Sequence, residues 1–318
     1  MNKSGVVLIT TLLIVMIMSV ISMQISKSFM LSLQREAYMD LSNISFQLLL
    51  SAEKKAVKDL KEQLSRYQTT LLSSDPILQN SLYYEIDNSV LEVSFRDASN
   101  CFNLNSIFNP RQGKYEINKA NYDWLKRFTR NKGVDENDIE SFVDQLIDWV
   151  DQDNQPRNFG AEDYFYTGPS SQVKQYTAKR FLNSLSEITA FPVMSRLNFL
   201  QLTEGLCVLP FTNKQWVNIN TLNIEDTLLL AAFMKENNFE YVKSIIIDMP
   251  EEGYSNTESF LDRFQENENL PPNILSLDSH LFEIRLTLME ENLFAEMKTL
   301  VILDDSNKAR VLRRNFNL

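Results

Sequence analysis

From Val6 to Met23 the chain reads VVLITTLLIVMIMSVISM, a run without a single charge and with only Thr10, Thr11, Ser19 and Ser22 as polar interruptions. A stretch of this length and composition crosses the hydrocarbon core of a bilayer as a helix. Lys3 precedes it and Lys27 follows it, so flanking charge does not fix the orientation. A secretory signal peptide shares the basic start and apolar core. Here, however, the apolar run begins after five residues, and no small-x-small cleavage site follows it, so the stretch reads as retained. Between Gln24 and Tyr67 there is neither Gly nor Pro. Apolar residues recur at helical spacing through Phe29, Leu33, Ala37, Leu41, Ile44, Leu48, Leu49, Val57, Leu60 and Leu64. One helix of roughly 60 residues, or about 90 Å, is expected. A coiled-coil stalk is the plain alternative, although the stripe keeps no strict heptad register.

Charge narrows the function classes. With 31 Lys+Arg against 42 Asp+Glu the net charge is -11, whereas nucleic acid is held by clustered cations that displace counterions. No nucleic-acid partner is expected. The lone histidine, His280, leaves few ways to build a hydrolase triad or a His-rich zinc site. Cys101 and Cys207 are the only cysteines, too few and too far apart for a CxxC motif or a four-ligand zinc site. They are two buried thiols or one long-range disulfide, and the compartment decides which.

The Asp75-Pro76 pair is expected to end the helical region. Leu82–Ile86 and Val90–Phe95 then read as strands joined by Asp87-Asn88-Ser89. A punctuated helical pattern follows over 121–131, 135–150, 175–183, 193–202, 224–236 and 257–266. After Pro271-Pro272 the period returns to two in Phe282, Ile284, Leu286 and Leu288. Leu300–Leu303 and Val311–Phe316 flank a turn at Asp304–Asn307. Periodicity gives an α+β chain and leaves its topology open.

The start MNKSG-VVLITTLLIVMIMSVIS resembles a type IV prepilin-like leader, short, basic and ending in Gly. The resemblance implies cleavage by a prepilin peptidase between Gly5 and Val6, with methylation of the new N-terminus. Pilin-like proteins mostly carry Glu at the fifth mature position, where this chain has Thr10. Further blocks follow in order: Cys101-Phe102-Asn103-Leu104-Asn105-Ser106; Asp148-Trp149-Val150-Asp151 running on to Gly160-Ala161-Glu162-Asp163; Asn183-Ser184-Leu185-Ser186-Glu187-Ile188; Val217-Asn218-Ile219-Asn220-Thr221; and Arg310-Val311-Leu312-Arg313-Arg314. With the missing Glu and the unusual length, the chain resembles the K-type minor pseudopilin of the type II secretion system. That implies a pilin-like long N-terminal helix packed on an antiparallel sheet, with a large inserted, mostly α-helical domain. The expected divisions are a leader at 1–5, a transmembrane half-helix at 6–23, a pilin-like helix and sheet at 24–110 and 272–318, and the insertion at 111–271. The implied partners are other minor pseudopilins of the I, J and H types, the major pseudopilin, the prepilin peptidase and secreted proteins. The implied location is the bacterial inner membrane, in a single pass, with the bulk in the periplasm.

An acidic stretch is the sharpest chemical feature. Asp151, Asp153 and Gln155 hold positions 1, 3 and 5 of a twelve-residue window closed by Glu162, the ligand spacing of a calcium loop. Asp163 adds another carboxylate. Position 6, which needs Gly in an EF-hand, is Pro156, so a calcium loop of another kind is expected, and the K-type resemblance implies a structural Ca2+ near this block. Asp144 and Asp148 read as the solvated face of a helix. The paired Asn103/Asn105 and Asn218/Asn220 suit helix N-caps. Trp124, Trp149 and Trp216 read as core residues.

The function expected is that of a structural assembly protein at the tip of a periplasmic pseudopilus, initiating its assembly for export of folded proteins, and not an enzyme. Two alternatives are a membrane-anchored periplasmic metal-dependent hydrolase using the acidic loop and a minor pilin of a type IV pilus or DNA-uptake machine.

Overall fold

A computed structural model of the chain describes residues 3–66, 71–86, 89–169, 171, 174–209, 213–264, 274–279, 281–290, 293–303 and 308–318. Asp87-Asn88, Pro271-Pro272, His280 and the Asp304–Asn307 turn lie outside the described residues.

Helix α1 runs unbroken over Lys3–Arg66. Residues 7–41 stand exposed, and burial begins at Ser45, continuing through Leu49, Glu53, Ala56 and Leu60. These five recur every three or four positions, a single stripe along one face. The chain then makes a short α2 at Pro76–Gln79. Pro76 starts this helix instead of closing α1, because proline's missing N–H and fixed φ cost nothing at a first helical position. Strands β1, Leu82–Ile86, and β2, Ser89–Asp97, follow as an antiparallel hairpin.

The inserted region begins with β3 (Phe102–Asn103) and a 3-10 turn at Leu104–Ile107. A hairpin of β4 (Phe108–Arg111) and β5 (Lys114–Ile117) comes next. The helical pattern had not suggested that hairpin. Its turn is Gln112-Gly113, at φ 49° and 80°, the left-handed pair a tight hairpin needs. Helices α3 (Lys119–Asn131), α4 (Glu136–Val150) and α5 (Asp163–Thr167) lead through 3-10 turns at Leu185–Ala190 and Pro192–Ser195 to α6 (Phe199–Thr203) and β6 (Leu206–Cys207). β7 (Val217–Asn218), a 3-10 turn at Ile224–Asp226, α7 (Thr227–Met234), α8 (Phe239–Ile247), α9 (Thr257–Leu261) and β8 (Leu275–Ser276) complete it. The helix expected over 175–183 is irregular chain: Asp163 takes the Thr177 N–H and the Trp149 carbonyl takes the Lys179 N–H. These bonds replace a helical ladder. The segment 193–202 splits for a similar reason, since Asn198 caps α6 and starts it afresh.

The chain returns as β9 (Leu281–Glu290), β10 (Leu293–Leu303) and β11 (Ala309–Asn317). The sheet order is β1-β2-β9-β10-β11, antiparallel throughout. Its apolar face and the buried stripe of α1 form one core, with Leu49, Leu60, Leu91, Val93, Phe95, Ile284, Leu286 and Val301. Glu53 sits in that stripe because Arg314 grips it with Nε and Nη2 at 2.7 and 2.8 Å while the Thr299 hydroxyl donates at 2.8 Å.

Contacts along α1 orient the sheet. Phe46 meets Phe316, the strand partner of Met297, and further along the helix Glu53 meets Thr299. β10 therefore runs with the helix away from its apolar end. β2 ends and β9 begins at the opposite pole, where Asp97 pairs with Phe282. The insertion thus leaves and re-enters the sheet at the end farthest from the membrane-length run. Phe102, Leu104, Ile107 and Phe108, together with Ile274 and Leu275, belong to a second core made by the inserted region. The boundaries expected at 110 and 272 accordingly move to about 97 and 281. What sets them is the core each residue joins, which polarity along the chain does not reveal.

Inside the insertion one frame is built twice. β3 pairs in parallel with β6, and β7 in parallel with β8. In the first unit the Asn105 amide clamps Leu182, donating to its carbonyl at 2.9 Å and accepting its N–H at 2.9 Å. In the second Asn220 treats Tyr254 alike, at 3.0 and 2.7 Å. Of the four paired asparagines only Asn103 caps a helical turn. Asn105 and Asn220 bind backbone far away in sequence, and Asn218 donates to the Asp97 and Ser279 side chains, because each is buried and an amide can satisfy a donor and an acceptor at once. Asp97 ties the second unit to the sheet: its carboxylate accepts from Ser99, Asn218, Thr221 and Ser279.

Candidate metal centre

The second half of α4 is buried on every side, its polar face included, so Asp144 and Asp148 have nowhere solvated to point. Asp148 is 0% and Asp144 8% exposed. Both are buried, against the solvated face expected of them. No local signal marks this burial, since Phe142, Val143, Leu146, Ile147, Trp149 and Val150 share one arc of the helix and leave Asp144, Gln145 and Asp148 on the other. Each buried carboxylate finds backbone instead. Asp148 accepts the Arg157 N–H at 3.1 Å and Asp144 accepts the Phe159 N–H at 3.2 Å, while the Gln145 amide donates to the Phe159 carbonyl at 3.1 Å. The loop after α4 is thereby folded back along the helix. Gly160 is obligatory there, because a Cβ would fall 1.8 Å from Asp148 Oδ2.

The folded loop gathers three of the expected ligands. Carboxylate oxygens of Asp151, Asp153 and Glu162 lie within 4.8 Å of one another. Gln155 gives its N–H to Asp153 at 2.8 Å and is itself exposed. Asp163 stands outside this group. One of its oxygens takes the Thr177 N–H and hydroxyl, at 2.8 and 2.7 Å, and the other lies 3.3 Å from Lys179 Nζ. Lys179 was not foreseen as part of the site.

The cluster is charged beyond what its own groups can satisfy. Glu162 is 1% exposed, and both its oxygens, together with Asp151 Oδ1 and the Tyr166 hydroxyl, are buried without a hydrogen-bond partner. Burial first, then the Asp151 and Asp148 charges, push Glu162 up to about 7. Burial pushes Asp148 to about 6, with Asp151 and Asp144 adding to it. Asp151 rises to about 6 through burial and Asp153, with Lys179 and Arg157 pulling it back. Tyr166 is driven far up by burial and the same carboxylates. Oxygens ligate Ca2+ at about 2.3–2.6 Å, so ligands on opposite sides of one ion stand about 5 Å apart. The three carboxylates lie close enough together to share one ion, and the orphaned Glu162 oxygens are those a cation would satisfy. The residues fit a hard divalent ion.

Cys101 and Cys207 are joined by a disulfide, with Cα atoms 5.7 Å apart, beside the β3–β6 pair at the two ends of the first unit. Gly5 and Val6 lie in the first turns of α1.

A long helix whose first part is apolar and exposed, whose second part backs an antiparallel sheet, and whose sheet is interrupted by a separate helical body defines a pilin-like protein with an inserted domain. Among the described residues α1 is the one helix long and apolar enough to cross a membrane, which fits a single-pass anchor carrying a soluble bulk. The family model "Type II secretion system (T2SS), protein K" matches residues 100–211, the first unit of the insertion. Type II secretion system protein K of Aeromonas hydrophila is 25% identical over 98% of this chain and 97% of its own. The protein of the same name from Pectobacterium carotovorum subsp. carotovorum is 25% identical over 98% and 94%. A chain in the crystal structure of the GspK-GspI-GspJ complex from the enterotoxigenic Escherichia coli type 2 secretion system superposes with a TM-score of 0.74 at 20% identity, covering 89% of this chain and 99% of that one. The resemblance to protein K thus runs the length of the chain, in sequence and in fold.

Proposed function

We propose that this chain is a minor pseudopilin of the type II secretion system, which caps the tip of the pseudopilus and initiates its assembly without catalysing a reaction. The observation that carries this reading is the position of the insertion at the pole of the sheet opposite the apolar run. A body of that size there leaves no room for a further subunit stacked above, whereas the exposed stripe of α1, including Phe29, Leu33 and Leu41, is free to pack on helices from below. Thr10 agrees with a terminal place, since a top subunit has no neighbour's amine for a carboxylate to meet. The partners are then I-, J- and H-type minor pseudopilins and the major pseudopilin. The chain sits in the inner membrane with its bulk in the periplasm, and a prepilin peptidase cuts it between Gly5 and Val6. The Cys101–Cys207 bond suits an oxidising compartment.

The acidic loop in this reading holds a structural Ca2+ through Asp151, Asp153 and Glu162, turning mutual repulsion into folding free energy. Glu162, with both oxygens buried and unpartnered, is the ligand that would tie such an ion into the fold. The test is co-expression of the full chain with I- and J-type pseudopilins in detergent, with the intact mass read beside it. A three-way complex that falls apart without this chain, and a mass short of residues 1–5, are expected. An intact Met1, or an I–J complex indifferent to this chain, overturns the reading.

A further inference from the structure

Lys179 is a positive charge built into an acidic site. Its backbone is left-handed at φ 48°, a conformation that crowds a Cβ and is uncommon outside glycine. The surroundings hold it there. Its N–H donates to the Trp149 carbonyl at 3.0 Å, two residues before Asp151. Its ammonium donates to the Asn154 side chain, inside the acidic loop, and lies 3.3 Å from Asp163 Oδ2. The chain on either side is fixed too, since Thr177 is bound twice by Asp163. The side chain is 30% exposed, partly withdrawn from water, where a free lysine would stay solvated.

The charge count gives this a purpose. Asp151, Asp153 and Glu162 bring three negative charges to one point. Asp163 adds a fourth charge beside them, and the Lys179 ammonium 3.3 Å away offsets it. Without that ammonium the charge of Asp163 adds to the other three, and the pocket shifts in favour of a trivalent ion. Resting on the reading of this loop as a divalent-ion site, we propose that Lys179 determines its specificity, acting as a resident cation that sets the pocket's charge for Ca2+ over trivalent ions and holds Asp163 out of the coordination shell. Lys179 touches no ion. It acts through the field at the three carboxylates and through its ion pair with Asp163.

The experiment uses the full chain in detergent. Ca2+ affinity is measured by calorimetry, and Tb3+ affinity by lanthanide luminescence excited through Trp149, which adjoins the loop and stacks edge-on with Tyr166. The variants are Lys179→Gln, Lys179→Gly and Lys179→Arg. Lys179→Gly removes the charge and also relieves the left-handed backbone, so it keeps the test valid where Lys179→Gln fails to fold. Both charge-deleting variants are expected to bind both ions more tightly, with the preference for Tb3+ over Ca2+ rising about tenfold, because one extra unit of ionic charge feels the lost repulsion. Lys179→Arg is expected to restore the native ratio. A ratio unchanged in Lys179→Gln and Lys179→Gly overturns the role of Lys179 while leaving the ion site standing. A native chain that binds neither ion overturns the site and this inference with it. Loss of fold alone lowers both affinities and cannot produce the shifted ratio.

Discussion

The two units of the insertion share a frame and differ in what reinforces it. Each has a two-residue parallel strand pair, an asparagine that clamps a distant backbone segment, and a capped helical turn after the clamped residue: Ser184 caps the turn after Leu182, and Asn256 caps α9 after Tyr254. Among the described residues only the first also has the disulfide and the carboxylate loop. It also carries the long excursion from α4 to α6 that the disulfide and the loop close. The second spans less chain and is tied instead to the sheet through Asp97. A longer excursion costs more closure entropy, and covalent and ionic braces are where that cost falls.

Breaking the disulfide should have the largest effect. Cys101→Ser with Cys207→Ser frees a loop of 106 residues and should cost about 4–5 kcal/mol, read from denaturant unfolding. A loss below about 1 kcal/mol would mean that the clamp already closes the unit. Asn105→Ala and Asn220→Ala come next. Each leaves a buried N–H and carbonyl unpaired, at about 2–4 kcal/mol together, and the two should cost the same if the frame is truly repeated. A twofold disparity breaks the comparison.

The ion should act on one unit alone. At a hundredfold excess over its dissociation constant Ca2+ should add about 2.7 kcal/mol, slowing hydrogen exchange in α4 and not in α7. Gly160→Ala, which drives a methyl into Asp148, should abolish that gain, and exchange slowing equally in both units would sink the assignment. The smallest effect is that of pH. Asp148, Asp151 and Glu162 in the first unit, and Asp226 in the second, all rise on folding, to about 6, 6, 7 and 7. The folded chain therefore keeps protons that the unfolded chain gives up above about pH 4. Stability from these groups is full below that point and is lost as pH climbs through about 6 to 7. In chelator the melting temperature should fall between pH 5 and 7.5, and Ca2+ should remove the fall arising in the first unit and leave that from Asp226. A melt flat in chelator would rule out buried apo carboxylates.

The anchor, the long helix and the terminal strands were readable because their signals are local: an uncharged run, a helix without Gly or Pro, a period of two. The acidic window was readable for the same reason, as a spacing. Other features left no local trace. The hairpin at Gln112-Gly113 was assigned no element, α8 was passed over despite its Asn238 cap, and 175–183 looked helical although its N–H groups are spent on Asp163 and Trp149.

By itself, then, the sequence determined which segments are apolar, which are periodic and which residues could bind a hard cation, since each depends on neighbours along the chain. Only the tertiary structure decided that Asp148 is buried, that Asp163 faces Lys179 and not the other carboxylates, and that the insertion begins at Asp97. Those depend on which core a residue joins and which charge folds against it, and such partners lie many residues away in the chain.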